Sequence, residues 1–231
     1  MKLSIIIPVY NEGHLIDKII TKVKQVSLPA DITREFIIIN DGSTDNTGDK
    51  LANYNSDPEI RIFNTNKNLG KTNAIKIGFE KLTGDIIIIQ DADLEYDPDD
   101  YPRLIDPIIK GKASVVYGSR FKGQSEKMKI VNRVANILSN ITANLLFNAE
   151  LSDINTCYKV FKCSALEGIK ITSKDFMFET EITVKFLKKG YKIYEVPIRY
   201  TARTKKEGKK INWFKAIKMY WGMIKYRYSV S

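Results

Sequence analysis

Asp85-Ile86-Ile87-Ile88-Ile89-Gln90-Asp91-Ala92-Asp93 sets four consecutive isoleucines against a cluster of carboxylates. A run that short and uniformly aliphatic suits a strand covered on both faces, as in the middle of a parallel sheet. The aspartates then fall where that strand ends. Working outward, residues 3–9 and 36–39 are aliphatic runs of the same kind, and 60–64 and 113–117 read as further strands. Between them the spacing turns helical. Leu15, Ile16, Ile19, Ile20 and Val23 share one helix face, and the polar run Asn40-Asp41-Gly42-Ser43-Thr44-Asp45 offers a turn and N-caps for a helix to about Tyr54. Residues 72–82 and 99–109 supply two more helices. Strands alternating with helices every 20–30 residues predict a mostly parallel α/β sheet flanked by helices. Beyond Arg120 the pattern loosens into an amphipathic helix over 130–147, a short strand at 160–161, a helix over 178–189, a strand over 191–196 and a last helix over 212–228.

The chain has 231 residues and a formal charge of +10, most of it at one end. From Arg199 to Ser231 there are ten basic residues and one acid, so the body before them is close to neutral. That distribution argues against uniform coating of nucleic acid and for one directed anionic surface. No apolar run approaches the ~18–20 residues that span a bilayer, and no signal peptide is visible. Cys157 and Cys163 lack metal-ligand spacing and read as buried thiols of an intracellular protein. The expected location is cytoplasmic.

In an open parallel sheet, ligands bind outside the carboxyl ends of the strands. Here those ends carry Glu12, Asp41, Asp91 and Asp93. If residues 91–95 are extended, Asp91, Asp93 and Glu95 point to one side, and that much like charge calls for a hard divalent cation. Gly70-Lys71-Thr72 looks like the end of a P-loop, but Thr65 stands where that motif needs glycine. Lys71 remains available to a phosphate as a single charge.

The succession Ile6-Ile7-Pro8-Val9-Tyr10-Asn11-Glu12, Asn40 to Asp45, Asn68-Leu69-Gly70-Lys71 and Asp91-Ala92-Asp93 resembles family 2 glycosyltransferases with the GT-A (Rossmann-like) fold. The likeness is closer to dolichyl- and polyprenyl-phosphate sugar synthases, such as the dolichol-phosphate mannose synthases. It continues through Gly118-Ser119-Arg120-Phe121, Thr156-Cys157-Tyr158-Lys159, Phe178-Glu179, Val196-Pro197-Ile198, and Arg203 with Glu207-Gly208-Lys209-Lys210. The resemblance implies a catalytic domain over 1–210 and a C-terminal extension over 211–231. It implies that Pro8, Tyr10, Glu12 and Asp41 hold the nucleotide of a GDP-mannose or UDP-hexose donor, with Lys71, Asp91, Ala92 and Asp93 beside it. Asp93 and Glu95, with Asp91, would hold Mg²⁺ or Mn²⁺. Arg120, Arg133 and Arg203 would grip the acceptor phosphate, and Asp91, Asp93 and Arg120 would carry catalysis. Glu95 stands where the mannose synthases carry Gln. A carboxylate still ligates a metal, so the departure bears on the sugar: mannose first, glucose second.

A lipid monophosphate is anionic near neutral pH, so as a nucleophile it needs cations to position it and no general base. Basic groups at Arg120, Arg133, Arg199 and Arg203 suit that acceptor, whereas the only histidine, His14, reads as a surface residue. A family member acting on a carbohydrate hydroxyl would instead need a base, for which Asp153, Glu179 and Glu181 are candidates. A non-enzymatic membrane- or RNA-binding module is a third reading, opposed by the acidic cluster. In the last helix Trp213, Ile217, Tyr220, Trp221, Ile224 and Tyr228 fall on one side beside Lys215, Lys218 and Lys225, with Arg227 out of place on the apolar edge. That face either rests on the cytosolic side of an anionic membrane or packs on the domain. The expected partners are a sugar nucleotide, a polyprenyl phosphate and a membrane surface, and no nucleic acid.

Overall fold

The computed structural model describes residues 1–173, 177–203 and 213–228, with side chains from 220 onward in the last stretch. The basic run around Lys209 and the side chains of Trp213, Lys215, Ile217 and Lys218 lie outside the described residues. Fourteen named elements follow one another as β1 (Lys2–Val9), α1 (Ile16–Gln25), β2 (Thr33–Asn40), α2 (Thr47–Ala52), β3 (Ile60–Asn64), α3 (Lys71–Lys81), β4 (Ile86–Ile89), α4 (Tyr101–Ile109), β5 (Val115–Glu126), α5 (Ile130–Phe147), β6 (Lys159–Lys162), α6 (Phe178–Lys188), β7 (Ile193–Thr201) and α7 (Trp213–Tyr228).

The strands form one seven-stranded sheet in the order β3-β2-β1-β4-β6-β5-β7. All pairings are parallel except those of β6, which runs antiparallel to both β4 and β5. The aliphatic runs of β1, β2 and β4 lie at its centre, with Ile5, Ile6, Ile37, Ile38 and all four isoleucines of β4 buried. Burial on both faces is what their unbroken apolar character requires. Strand order reverses between β1 and β4, and the crevice at such a switch point is where α/β sheets bind ligands.

Three elements differ from the sequence reading: β7, which runs over Ile193–Thr201 rather than 191–196, β5 and α5. β5 does not stop at Tyr117; after an irregularity between Ser119 and Gln124 it continues beside β7 to Glu126, so Arg120 lies within a strand rather than just after one. The polar, exposed character of 122–126 hid this extension, which only its pairing with β7 supports. α5 is amphipathic as expected but turned inside out, as the site below makes clear.

The last helix packs on the body. Met223 is buried with Ala143, Ile154 and Val184 in a small second core, flanked by Tyr220 and Tyr226. The Tyr220 hydroxyl donates to the Ala135 carbonyl at 3.2 Å. Arg227, out of pattern in the helical projection, has its guanidinium 5.4 Å from the centre of the Phe147 ring. Trp221, Ile224 and Tyr228 remain exposed, so the predicted aromatic face is divided between packing and solvent. Among the described residues no helix is long and apolar enough to cross a membrane. Cys157 is a buried free thiol and Cys163 a half-buried one.

Candidate active site

The loops after β1 and β2 are laced together at the crevice. Asn11 N–H donates to Ser43 Oγ at 3.0 Å, Thr44 N–H to Asn11 Oδ1 at 2.8 Å, and Glu12 N–H to Thr47 Oγ1 at 3.1 Å. Asp45 accepts from the N–H groups of Gly13 and Thr47. Desolvation raises the Asp45 carboxyl, but these hydrogen bonds prevail and hold it below its ordinary range. Asp41 is buried and accepts from the N–H groups of Leu69 and Gly70, at 2.9 and 2.8 Å. The glycine-lysine-threonine segment thus closes on a carboxylate, which removes the P-loop likeness on structural grounds. Gly42 explains its own identity: φ is +66° and a Cβ would lie 2.4 Å from the Lys67 carbonyl carbon. Around this frame Pro8 is half-buried, Ala92 is buried and Tyr10 is exposed, its ring lying open at the crevice.

Residues 91–95 are not extended. They form turns, with Leu94 at φ +58° and Asp93 Oδ1 accepting from Glu95 N–H. The alternation of an extended segment therefore does not apply, although the charges of Asp91 and Glu95 still act on Asp93. Asp91 is 2.7 Å from the Lys71 ammonium, which also meets Glu179 at 2.8 Å. Burial works against that ammonium, but Asp91, the Cys157 thiol and Glu179 hold it well above the usual lysine range. Lys71 is spent on protein carboxylates in this arrangement. Glu95 turns to β7, where it accepts from Tyr200 Oη at 2.6 Å and from Arg203 N–H at 2.9 Å. Asp93 faces the Arg203 guanidinium at 2.9 Å, and Glu12 reaches the same group at 3.2 Å. Burial, with the charges of Asp91 and Glu95, pushes the Asp93 carboxyl up to about 7 against the pull of Arg203.

The sequence-predicted phosphate arginines separate into two places. Arg203 sits in the acidic cluster. Arg120 and Arg133 line a cavity of about 180 Å³ together with Phe121, Lys127 and Met128. Arg120 is buried and held bidentately by Asp153, at 2.7 Å on both arms, with its plane 5.1 Å from the Tyr200 ring. Sequence reasoning offered Asp153 as a base; its contacts make it the anchor of Arg120.

What holds Asp153 is the polar side of α5. Asn144 exchanges two hydrogen bonds with Leu151, and Asn140 accepts from Ile154 N–H at 3.0 Å and donates to Ser152 O. Asn136 accepts from Asn155 at 2.9 Å. The four-residue spacing of these asparagines puts them on one face, turned inward, where Asn140 and Asn144 satisfy backbone groups of 151–154 and Asn136 meets the Asn155 side chain. The opposite face is apolar and exposed: Ile130, Val134, Ile137, Leu138, Ile141 and Leu145. From β7, Glu195 accepts from Ser152 N–H and Asp153 N–H at 2.9 Å each. Nothing in local sequence marks Glu195, and the motif that contains Lys159 does not show that it is fully buried, its ammonium donating to Ile154 O and Thr183 Oγ1. Burial lowers Lys159 to about 7 despite Glu179 and Asp153.

The glycosyl transferase family 2 model matches residues 4–170, most of the chain and all three strand ends just described. The chain belongs to this family. Among similar family 2 proteins, the dolichol-phosphate mannosyltransferase of Pyrococcus furiosus is 26% identical over 215 residues, 90% of this chain and 59% of that one. The undecaprenyl-phosphate 4-deoxy-4-formamido-L-arabinose transferase of Pectobacterium carotovorum is 37% identical over 114 residues, 47% of this chain and 34% of its own. The chain therefore spans between about a third and three fifths of these relatives. In three dimensions, glucosyl-3-phosphoglycerate synthase from Mycobacterium tuberculosis, solved with Mn²⁺, uridine diphosphate and phosphoglyceric acid, superposes with a TM-score of 0.74 at 16% identity, over 97% of this chain and 76% of that one. The shared fold is GT-A, as the family resemblance implies.

Proposed function

We propose that this family 2 protein transfers a hexose, with inversion, from a sugar nucleotide to a dolichyl or polyprenyl phosphate. The observation that carries the reading is the basic cavity of Arg120, Lys127 and Arg133, which opens where the exposed apolar face of α5 begins at Ile130. Charge and hydrocarbon surface adjoin, as a lipid phosphate requires. In the step itself a phosphate oxygen attacks the anomeric carbon while the nucleoside diphosphate departs with the bonding pair, giving a glycosyl phosphate. No proton need be removed, and the candidate bases are otherwise engaged: Asp153 by Arg120, Glu179 by Lys71, and Glu181 by Thr172, Ser173 and Lys185. That counts against a carbohydrate hydroxyl as acceptor. The names of the Pyrococcus and Pectobacterium relatives support a polyprenyl-type acceptor, with mannose the first choice of sugar and glucose the second.

The donor would lie over the β1, β2 and β4 ends, against Pro8, Tyr10, Glu12, Asp41 and Lys71, with Asp91, Ala92 and Asp93 beneath it. The residues fit a hard divalent cation: Asp93 and Glu95 offer carboxylate oxygens at the crevice, and mutual repulsion already burdens Asp93. Among the described residues no three acidic, histidine or cysteine side chains form a ready-made cage, so donor phosphate oxygens must complete the shell. When bound, Mg²⁺ or Mn²⁺ supplies charge to the leaving diphosphate. A structure of the M. tuberculosis synthase with Mn²⁺ and uridine diphosphate supports that use of the fold.

Peripheral attachment to the cytosolic face of a membrane belongs to the same proposal. α5 and α7 contain no Asp or Glu, and α7 ends on Lys225 and Arg227. An acid-free, half-apolar surface suits an anionic bilayer. The test is a panel of GDP-mannose, UDP-glucose and UDP-N-acetylglucosamine with a short polyprenyl phosphate and Mn²⁺. Lipid-linked sugar from one donor is expected; transfer to a glycan acceptor alone would overturn the reading.

A further inference from the structure

The buried Arg120 and the half-buried Arg203 are held in different ways. Arg120 makes a fork-to-fork pair with a single carboxylate, both contacts at 2.7 Å, and its backbone N–H donates to the same group at 2.9 Å. Such a pair is fixed, since breaking it leaves an unpaired buried charge. Arg203 instead spreads over three carboxylates from two strand ends. One nitrogen meets Asp93 at 2.9 Å, another meets Glu12 at 3.2 Å, and Nε lies 3.8 Å from Glu95 with no hydrogen bond among the described residues. Each contact is single, and none has the bidentate geometry that makes an arginine pair tight. Glu12 Oε2 also has no hydrogen bond among the described residues, with His14 Nε2 3.7 Å away. The backbone is better secured than the side chain, because Arg203 N–H donates to Glu95 Oε1 at 2.9 Å. The guanidinium can therefore leave while the chain stays in place.

The place that Arg203 fills is where the proposed function puts divalent charge. We propose that Arg203 is a built-in counter-cation of the acidic crevice, displaced by the divalent metal and donor diphosphate, and that its release provides a cation for the acceptor phosphate. The inference rests on the donor site proposed above and adds an order to it. Without donor, the protein's own cation offsets part of the charge of Glu12, Asp93 and Glu95, and Arg203 is engaged with them rather than with an acceptor. Once a dication and diphosphate occupy the crevice, the guanidinium is repelled by the metal, and the nearest anion left to it is an incoming phosphate. Donor then binds before acceptor, and the acids are never left unpaired in the low-dielectric crevice between turnovers.

Mn²⁺ binding in the presence of a nucleoside diphosphate, followed by the electron paramagnetic resonance of the free ion with neither sugar nor lipid present, tests the latch by itself. Arg203→Gln removes the competing charge and should tighten Mn²⁺ binding about tenfold, within the usual range of coupling between two sites. Arg203→Lys keeps a cation within reach of the same carboxylates and should bind Mn²⁺ within a few-fold of the unaltered protein. Equal or weaker Mn²⁺ binding by Arg203→Gln would overturn the proposal. So would a gain in Arg203→Lys as large as in Arg203→Gln, because the charge would then not be the brake. The readout contains no sugar and no acceptor, so failure of the latch and failure of the transfer assay are separate results.

Discussion

At the scale of single residues, the pairing of Arg120 with Asp153 is the most consequential contact in the candidate acceptor site. Asp153 is fully buried and Arg120 nearly so, and removing one partner of such a pair strands the other charge. Asp153→Ala should therefore cost about 3–5 kcal/mol of stability in chemical denaturation. A loss below about 1 kcal/mol would mean that Arg120 is not held as described. Which residues gather at the crevice was legible in the sequence, because strand ends in an α/β sheet are predictable and Glu12, Asp41, Asp91 and Asp93 all follow strands. Lys71 was legible beside Asp91, but the gathering of Glu12, Asp93 and Glu95 around Arg203 was not, because it spans most of the chain. Asp153 and Glu195 likewise act across long sequence separations, and the turn at Leu94 leaves no mark in a pattern of alternating acids.

At the scale of elements, Glu35 shows how the central strands are tied at the end away from the crevice. It stands near the start of β2 and accepts from Ser4 Oγ of β1, and from Thr83 N–H and Oγ1 before β4. The Lys2 ammonium lies 3.0 Å away. Desolvation would raise this carboxyl, but the hydrogen bonds and Lys2 outweigh it and lower it from 4.5 to about 2. A depressed carboxyl favours the folded state above its unfolded pKa and loses that advantage as pH falls through the folded value. Glu35→Gln should cost about 2 kcal/mol at pH 7, and the deficit should shrink as the pH is lowered from 4.5 toward 2. A deficit that is constant over that window would contradict the assignment. α5 is the opposite case for legibility. Its length and bounds follow from periodicity, but periodicity is blind to which face is inward. Asn140 and Asn144 face the protein because the 151–154 backbone needs partners, Asn136 joins them through the Asn155 side chain, and the aliphatic face is left outside.

At the scale of the molecule, a near-neutral body carries a cavity of basic residues, an acidic crevice and an apolar, acid-free surface built from α5 and α7. Changing Leu138 and Ile141 to Glu should weaken binding to phosphatidylglycerol-containing vesicles several-fold while shifting stability by less than about 0.5 kcal/mol, since both side chains are exposed. Unchanged vesicle binding would assign that surface to another role. The fold itself followed from the alternation of elements, whereas the long pairing of β5 with β7 did not, because 122–126 carry no apolar residue. The central claim is that the acceptor brings its own negative charge. It is tested most directly by comparing sugar transfer to a polyprenyl phosphate and to the same polyprenol lacking the phosphate, with Mn²⁺ and the preferred donor. Glycosylated lipid only from the phosphate is predicted; comparable transfer to the free alcohol would contradict the account.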